Sequence, residues 1–293
     1  MTASDESTDL RPRTLSLPPT GHGYGGGEGG PSDVRPLRQE KYELFGPACA
    51  DALALFWYRW VTGHQISFLL WRLLGDALER CSHRAPTRLE REAMAACVDG
   101  YSTMLLYSAT VPRDLYHAHI RERMALQHPA FSGAWAPDYR PLRPLFRSRL
   151  PWQGDPSCAA LREAIGLNHM THARIADRLV PDGQSLLQKH SGRAGISREK
   201  EDLFDDFFMT VRRPVSRSAL TDQLNTRIAG ITADLDGNGL YPLVDGEHHA
   251  VVPDPPDPSE EALHRLAANV LLSTHRAARL CADAENSLQE AHL

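Results

Sequence analysis

The segment ADALALFWYRWVTGHQISFLLWRLLGDALER, residues 50–80, decides the fold of this 293-residue chain. Its apolar residues recur at three- and four-residue intervals, and no proline interrupts them. This period matches the turn of an α-helix, so the segment predicts one or two long helices with one face in a core. His64 and Gln65 lie within this leucine-rich stripe. Since a core needs no imidazole, His64 is either a histidine tolerated in the core or a group that faces a site.

The rest of the chain also has mostly helical patterns. Thr87 is placed to cap a helix with Glu90 three residues later, and Pro112 is at the start of a further helix. Helical spacing returns in residues 157–180, 216–235 and 260–290, whereas the proline-rich residues 129–157 predict an ordered loop. No segment alternates as a strand would. The predicted fold is all-α, with one helical domain over residues 37–293 and a mobile Gly/Pro-rich tail over residues 1–36.

Composition excludes several classes of protein. The net charge is −5 and the pI is near 6.3, which gives no indication of a nucleic-acid or membrane partner. No apolar run reaches the roughly 20 residues of a membrane span, and the N-terminus lacks the pattern of a secretory signal. The five cysteines are widely spaced without a CxxC pair, which is typical of reduced thiols. We therefore expect a soluble, cytoplasmic protein.

Residues 234–245, DLDGNGLYPLVD, resemble a calcium-binding loop. Asp234, Asp236, Asn238, Gly239 and Asp245 occupy positions 1, 3, 5, 6 and 12 of that loop. Pro242 interrupts the pattern, and the proline-rich residues that follow cannot form the exiting helix of an EF-hand. An ordinary turn is therefore favoured over a calcium site.

The segment NHMTHARIADRL contains His169 and His172 three residues apart, so both are expected on one side of a helix. Ile175 and Leu179 follow His172 at helical spacing, which predicts that this side faces the core. Buried imidazoles need hydrogen-bond partners, so both histidines could be satisfied core residues. The alternative is that one of them binds a metal ion or a haem iron. The absence of a CxxCH motif argues against covalently attached haem.

Taken in order, these segments resemble the tryptophan 2,3-dioxygenase superfamily of histidine-ligated haem proteins. Trp60-x-x-x-His64-Gln65 followed by ISFLLWRLL is similar to the early helix of that superfamily, which lies on the distal side of the haem. THARIADRLVPDGQSLLQKHSGRAGIS is similar to the later helix with the proximal histidine and its flexible loop. YHAHIRERM resembles the helix that holds the substrate carboxylate. The loop reads HSGRAG instead of the Gly-Thr-Gly-Gly run of the dioxygenases. By overall resemblance, the chain looks closest to the haem-dependent L-tyrosine hydroxylases of natural-product and antibiotic biosynthesis.

The resemblance implies an enzyme, a haem-dependent oxidoreductase that contains non-covalent haem b. It implies His172 as the proximal iron ligand, with His169 as second choice, and His64 as the catalytic acid–base group. Arg121 and Trp60 would bind the substrate, and Ser191, Gly192 and Gly195 would close over it. The implied reaction is the 3-hydroxylation of L-tyrosine to L-DOPA with hydrogen peroxide or O₂, in a possible homo-oligomer. Two alternatives are a haem dioxygenase that cleaves the indole ring of tryptophan and a haem-binding protein without turnover.

Overall fold

The computed structural model describes residues 10–25, 45–49, 51–180, 184–189, 196–243, 276–277 and 279–280. These residues are mostly helical, which confirms the all-α prediction. Most of the helix predicted for residues 260–290 lies outside the described residues. Among the described helices, none is long and apolar enough to cross a bilayer.

Two long antiparallel helices, packed side by side, form the centre of the structure. The fold-deciding segment is a single helix, α1, Ala52–Arg80, whose N-terminus is capped by the Asp51 carboxylate. The next helix, α2, Arg88–Ser108, begins at the predicted cap Thr87, and Thr87 and Glu90 form a reciprocal capping box. The two helices approach closely at Gly63, where a Cβ atom would lie 2.2 Å from Ser108 Oγ. Gly63 therefore sets how near α1 can lie to α2.

The remaining helices surround this pair. After α3, Arg113–Leu115, the chain makes a π-helical turn over Tyr116–Arg121 and continues as α4, Glu122–Gln127. The proline-rich stretch packs down as predicted, as short 3₁₀ turns around α5, Arg143–Phe146. The later helices are α6, Ala159–Leu179, α7, Leu186–Lys189, α8, Arg198–Phe207, and α9, Arg217–Asn238. Helix α2 packs between α1 and α6, and α9 lies against α1.

Four short strands depart from the sequence analysis, which found no strand pattern. Strand β1, Leu15–Leu17, pairs in parallel with β3, Thr210–Arg212, and β2, Phe45–Ala48, pairs in parallel with β4, Tyr241–Leu243. Leu15 and Leu17 are fully buried. Residues 15–17 are therefore part of the fold, and the prediction of a mobile tail is wrong for them. Three-residue strands are too short for alternation to be visible, and their pairing depends on distant residues.

A buried ion pair connects the helices. The Arg59 guanidinium in α1 donates to both carboxylate oxygens of Asp234 in α9 at 2.8 and 3.0 Å, and both side chains are fully buried. Arg59 also donates to the carbonyls of Gly239 and Leu240, each at 2.6 Å. The Tyr107 hydroxyl of α2 donates to Asp234 at 2.6 Å. These bonds tie α1, α2, α9 and the start of β4 together.

The ordinary turn favoured for residues 234–245 is wrong for residues 234–238, which are helical, and the buried ion pair also argues against the calcium-loop alternative. Helix α9 continues through Asn238, so Asp234 lies in a helix and its carboxylate is already bound by Arg59, Tyr107 and Asn238. Asp245 lies outside the described residues. A carboxylate with three protein donors and no exposure has no oxygen available for a metal ion.

We expect Asp234→Ala to lower the free energy of unfolding by about 3–5 kcal/mol, because it leaves the Arg59 charge buried without a partner. The exposed Asp222 on the same helix provides a matched control. Asp222→Ala is expected to change the free energy of unfolding by less than about 1 kcal/mol. Urea unfolding followed by circular dichroism measures both. Equal midpoints for the two variants would contradict a structural role for the pair.

Candidate active site around His64

His64 lies on α1 inside an aromatic enclosure. Its ring stacks on Phe208 with centroids 4.6 Å apart, lies 4.4 Å from the Trp60 ring and meets Phe68 edge-on at 6.4 Å. Trp60 and Phe68 are one helical turn before and after His64, whereas Phe208 comes from the residue that ends α8. The imidazole therefore sits between two helices in mostly apolar surroundings.

The hydrogen bonds of His64 fix its tautomer. Nδ1 lies 2.6 Å from the Trp60 carbonyl oxygen, and since that oxygen can only accept, Nδ1 carries the proton. Burial lowers the pKa of His64 to about 4, and the bond to the carbonyl offsets part of this effect. The ring is thus neutral at pH 7, and among the described residues Nε2 has no hydrogen-bond partner. His64 presents a lone pair that can accept a proton or bind a donor.

Trp60 adds a donor beside this acceptor. The indole Nε1–H of Trp60 is buried and has no acceptor among the described residues. Leaving a buried donor without a partner lowers the stability of the fold by about 1–3 kcal/mol, and such a donor commonly binds a water molecule or a ligand. With the neighbouring Nε2 of His64, the pair offers one donor and one acceptor to a small polar molecule.

The π-helical turn brings a third polar group to this place. The Tyr116 ring lies 5.6 Å from that of Trp60, and the Tyr116 hydroxyl lies close enough to the Arg121 guanidinium to feel its charge. Burial raises the pKa of Tyr116, and the positive charge of Arg121 counteracts this. Arg121 also donates to the Gln184 carbonyl at 3.1 Å and is half-buried. Because a guanidinium has five N–H donors, Arg121 retains donors for a carboxylate.

Sequence analysis predicted Trp60, His64 and Arg121 as site residues but missed Tyr116 and the π-helical turn. A π turn places one extra residue in a helical turn and occurs frequently at functional sites. A π turn cannot be recognised from the spacing of apolar residues, because one extra residue in a turn changes that spacing no more than ordinary helices vary. The structure thus brings Trp60 into ring contact with both His64 and Tyr116, and Tyr116 lies near the charge of Arg121.

Gln65 has a purely structural role. Its amide nitrogen donates to the carbonyls of Arg13 and Phe208 at 2.9 and 2.8 Å, and its amide oxygen accepts from Arg227 at 2.8 Å. Gln65 is fully buried. It holds the chain before β1 and the end of α8 against α1, and so fixes Phe208 against the His64 ring.

His169 and His172 lie away from this cluster. The buried stripe of α6 passes through Asn168 and Thr171, which leaves both histidines exposed, so the prediction that they face the core is wrong. The prediction missed the stripe by one residue, a rotation of about 100° around a helix. Partial burial, and next the neighbouring His169, lower the pKa of His172. Neither imidazole has a ring contact with Trp60 or His64.

The other predicted residues cannot be placed. Ser191, Gly192 and Gly195 lie outside the described residues, so the loop that was expected to close over a substrate stays a prediction.

A haem needs an imidazole ligand and apolar walls around its open side. The described residues hold no group of three metal-ligating side chains for a bare ion. They do contain exposed imidazoles on α6, and on α1 they contain the buried Trp60 donor beside His64. The two components that hold haem, imidazoles and apolar rings, are thus both present, the imidazoles of His169 and His172 on α6 and the rings around His64 on α1.

Comparison with known proteins finds a similarity to one family over part of the chain. Residues 24–166 match the family model described as SfmD 3-methyl-L-tyrosine peroxygenase. The match spans just under half of the chain and includes Trp60, His64, Tyr116 and Arg121, but it ends before His169 and His172. A search of curated proteins matched none. The similarity supports an enzyme of the peroxygenase type, an oxidoreductase, with a tyrosine-like substrate and peroxide.

The pKa of His64 can be tested through stability. Since burial holds it near 4, below the value of about 6.5 in an unfolded chain, the unfolded state binds more protons between these two values. The contribution of His64 to stability is then fully present above pH 6.5 and is lost as the pH falls towards 4. We expect the stability difference between the parent and His64→Gln, measured by urea unfolding, to be smaller at pH 5 than at pH 7.5. His83→Gln, at an exposed position, is expected to give the same small difference at both pH values; the same result for His64→Gln would contradict the buried neutral imidazole.

Proposed function

We propose that this protein is a haem-dependent peroxygenase that hydroxylates the phenol ring of a tyrosine-type amino acid, for natural-product biosynthesis. The observation that carries the proposal is the pair of unpaired groups on His64 and Trp60, which lies inside the region that matches the peroxygenase family. L-Tyrosine, giving L-DOPA, and the ring-methylated 3-methyl-L-tyrosine are the two substrates to compare.

His64 is the acid–base group of this proposal. Its Nε2 lone pair can accept the proton of bound hydrogen peroxide, and the resulting imidazolium can return that proton to the departing oxygen. The Trp60 Nε1–H can donate to the second peroxide oxygen and so orient it. The low pKa of His64 keeps the base unprotonated at neutral pH and makes its conjugate acid a strong proton donor.

Arg121 binds the carboxylate of the amino acid. A guanidinium makes short charge-assisted bonds to a carboxylate, and the hydrogen bond from Arg121 to the Gln184 carbonyl helps to hold it in place. The aromatic rings of Trp60, Tyr116 and Phe208 provide the apolar wall against which a phenol ring can pack. A fixed carboxylate and a fixed ring together determine which ring carbon reacts.

When bound, haem supplies the iron that activates peroxide for transfer of one oxygen atom to the ring. His172 is our first choice as the protein ligand of that iron, and His169 is the second. Both imidazoles are accessible from outside the helix, and the lowered pKa of His172 favours the neutral form that a metal ligand requires.

The first test separates the two histidine roles. We expect His172→Ala to lose the Soret absorption band of bound haem, whereas His64→Ala keeps the band and loses about 10²- to 10⁴-fold in kcat, the usual contribution of a general acid–base group. His83→Ala, an exposed imidazole on the α1–α2 connection, is the control for both measurements. If His172→Ala keeps its band and His169→Ala loses it, the second choice is the ligand.

The second test concerns the reaction. Purified protein is incubated with hydrogen peroxide and either L-tyrosine or 3-methyl-L-tyrosine, and mass spectrometry follows the gain of one oxygen atom. The same protein with L-tryptophan and O₂ tests the ring-cleaving alternative, which predicts a gain of two oxygen atoms. A sample without a Soret band that also turns over neither substrate would contradict the proposal and leave a helical protein without turnover.

A further inference from the structure

A cavity of about 1000 Å³ lies at the C-terminal half of α1, apart from the His64 cluster. It is bounded by α1, by residues 20–23 that follow β1, and by the proline-rich residues 138–152. Its apolar lining is provided by Trp71, Leu78, Leu150 and Trp152, and Gly75 leaves room in its wall. The volume lies at the upper end of the range for sites that bind organic ligands, and exceeds what a single amino acid fills.

The wall of this cavity contains a donor without an acceptor. Trp71 is only 6% exposed, and its ring is held by Phe68, Tyr101 and Tyr139 at centroid distances of 5.3, 5.1 and 5.1 Å. Its Nε1–H is buried and has no hydrogen-bond partner among the described residues. Trp71 lines the cavity, so a ligand oxygen that reached this donor would remove the cost of leaving it unpaired.

The charges around the cavity favour a cation. Each of its arginines already has a carboxylate partner, since Arg72 pairs with Asp76 and Arg84 pairs with Glu90. The Asp138 carboxylate is likewise occupied by Arg212, at 2.8 Å. Glu79 is different, because it is exposed at the cavity and makes no ion pair with any described residue. The uncompensated charge is therefore negative.

From the aromatic walls, the orphan donor and the free carboxylate together, we infer that this cavity binds a cationic aromatic amine larger than one amino acid. Its apolar rings pack against Trp71 and Trp152, a carbonyl or phenol oxygen accepts from Trp71 Nε1, and its ammonium group lies at Glu79. The site is distinct from the His64 cluster and does not depend on haem or on the proposed reaction.

Isothermal titration calorimetry on the full-length protein as purified tests the inference with two probes of matched size. L-Tyrosyl-L-tyrosine methyl ester carries an ammonium and no carboxylate, whereas N-acetyl-L-tyrosyl-L-tyrosine carries the opposite charge. We expect the ester to bind more tightly at pH 6.5, where its α-amino group, with a pKa of about 7.7, is protonated. Equal affinity for the two probes, or tighter binding of the acetylated one, would overturn the inference.

Variants place the ester in this cavity. Glu79→Gln is expected to weaken its binding by about two- to fivefold, as for an exposed ion pair, while Glu163→Gln, an exposed acid on α6, leaves it unchanged. Trp71→Phe keeps an aromatic ring but removes the donor, and a loss of about two- to tenfold is expected. None of these residues belongs to the proposed catalytic group.

Two substitutions at Gly75 give the most direct test of where the ester binds. A Cβ atom there would meet only Leu142, at an ordinary 3.9 Å, so Gly75→Ala is expected to fold and bind nearly as the parent does. Gly75→Met extends a long side chain into the cavity and should abolish binding of the ester. Parent-like binding in Gly75→Met, with an unchanged circular dichroism spectrum, would show that the ester binds elsewhere and would overturn the inference.

Discussion

The buried pair of Arg59 and Asp234 is the constraint on which the rest of the structure depends. Removing two charges from water costs several kcal/mol each, and the cost is recovered only when every donor and acceptor is matched. Here the Arg59 guanidinium donates hydrogen bonds to both carboxylate oxygens of Asp234 and to two backbone carbonyls. The Tyr107 hydroxyl donates a further hydrogen bond to the carboxylate. Such a pair tolerates a single arrangement of α1, α2 and α9, because any rotation of one helix leaves a buried charge without a partner.

This requirement determines where the neighbouring residues of α1 point. Successive residues of a helix are rotated by about 100°, so fixing Arg59 towards α9 fixes Trp60 and His64 on another side. There Trp60 meets Tyr116 of the π turn and His64 meets Phe208. On the opposite flank Gln65 is bound by Arg227. The unpaired Nε2 of His64 is thus a consequence of how α1 is held, and the surrounding rings make that nitrogen a weak base.

Sequence patterns predicted the helices well because helix formation depends on neighbours along the chain. The period of residues 50–80 and the Thr87–Glu90 capping box are local signals, and both are confirmed. The strands were missed because each has only three or four residues and is stabilised by partners far away in the chain. For the site, the roles of Trp60, His64 and Arg121 stay predictions. The predicted buried side of α6 was wrong by one residue, since Thr171 is buried and His172 is exposed. Spacing alone cannot distinguish Asn168 and Thr171, which are polar but buried, from the exposed histidines next to them.

The pairing of β1 with β3 has a consequence for how the protein is made. Leu15 lies beside Thr210, and Arg213 bonds to Ser16 across 197 residues. The N-terminal residues leave the ribosome first. Strand β1 nevertheless has no partner strand until more than two thirds of the chain has been synthesised. Helices α1 and α2 are adjacent in sequence and can associate well before that point, since local contacts form fastest. During synthesis, Leu15 and Leu17 therefore remain exposed to the cell for most of the time that translation takes, and they become part of the core only in its last steps.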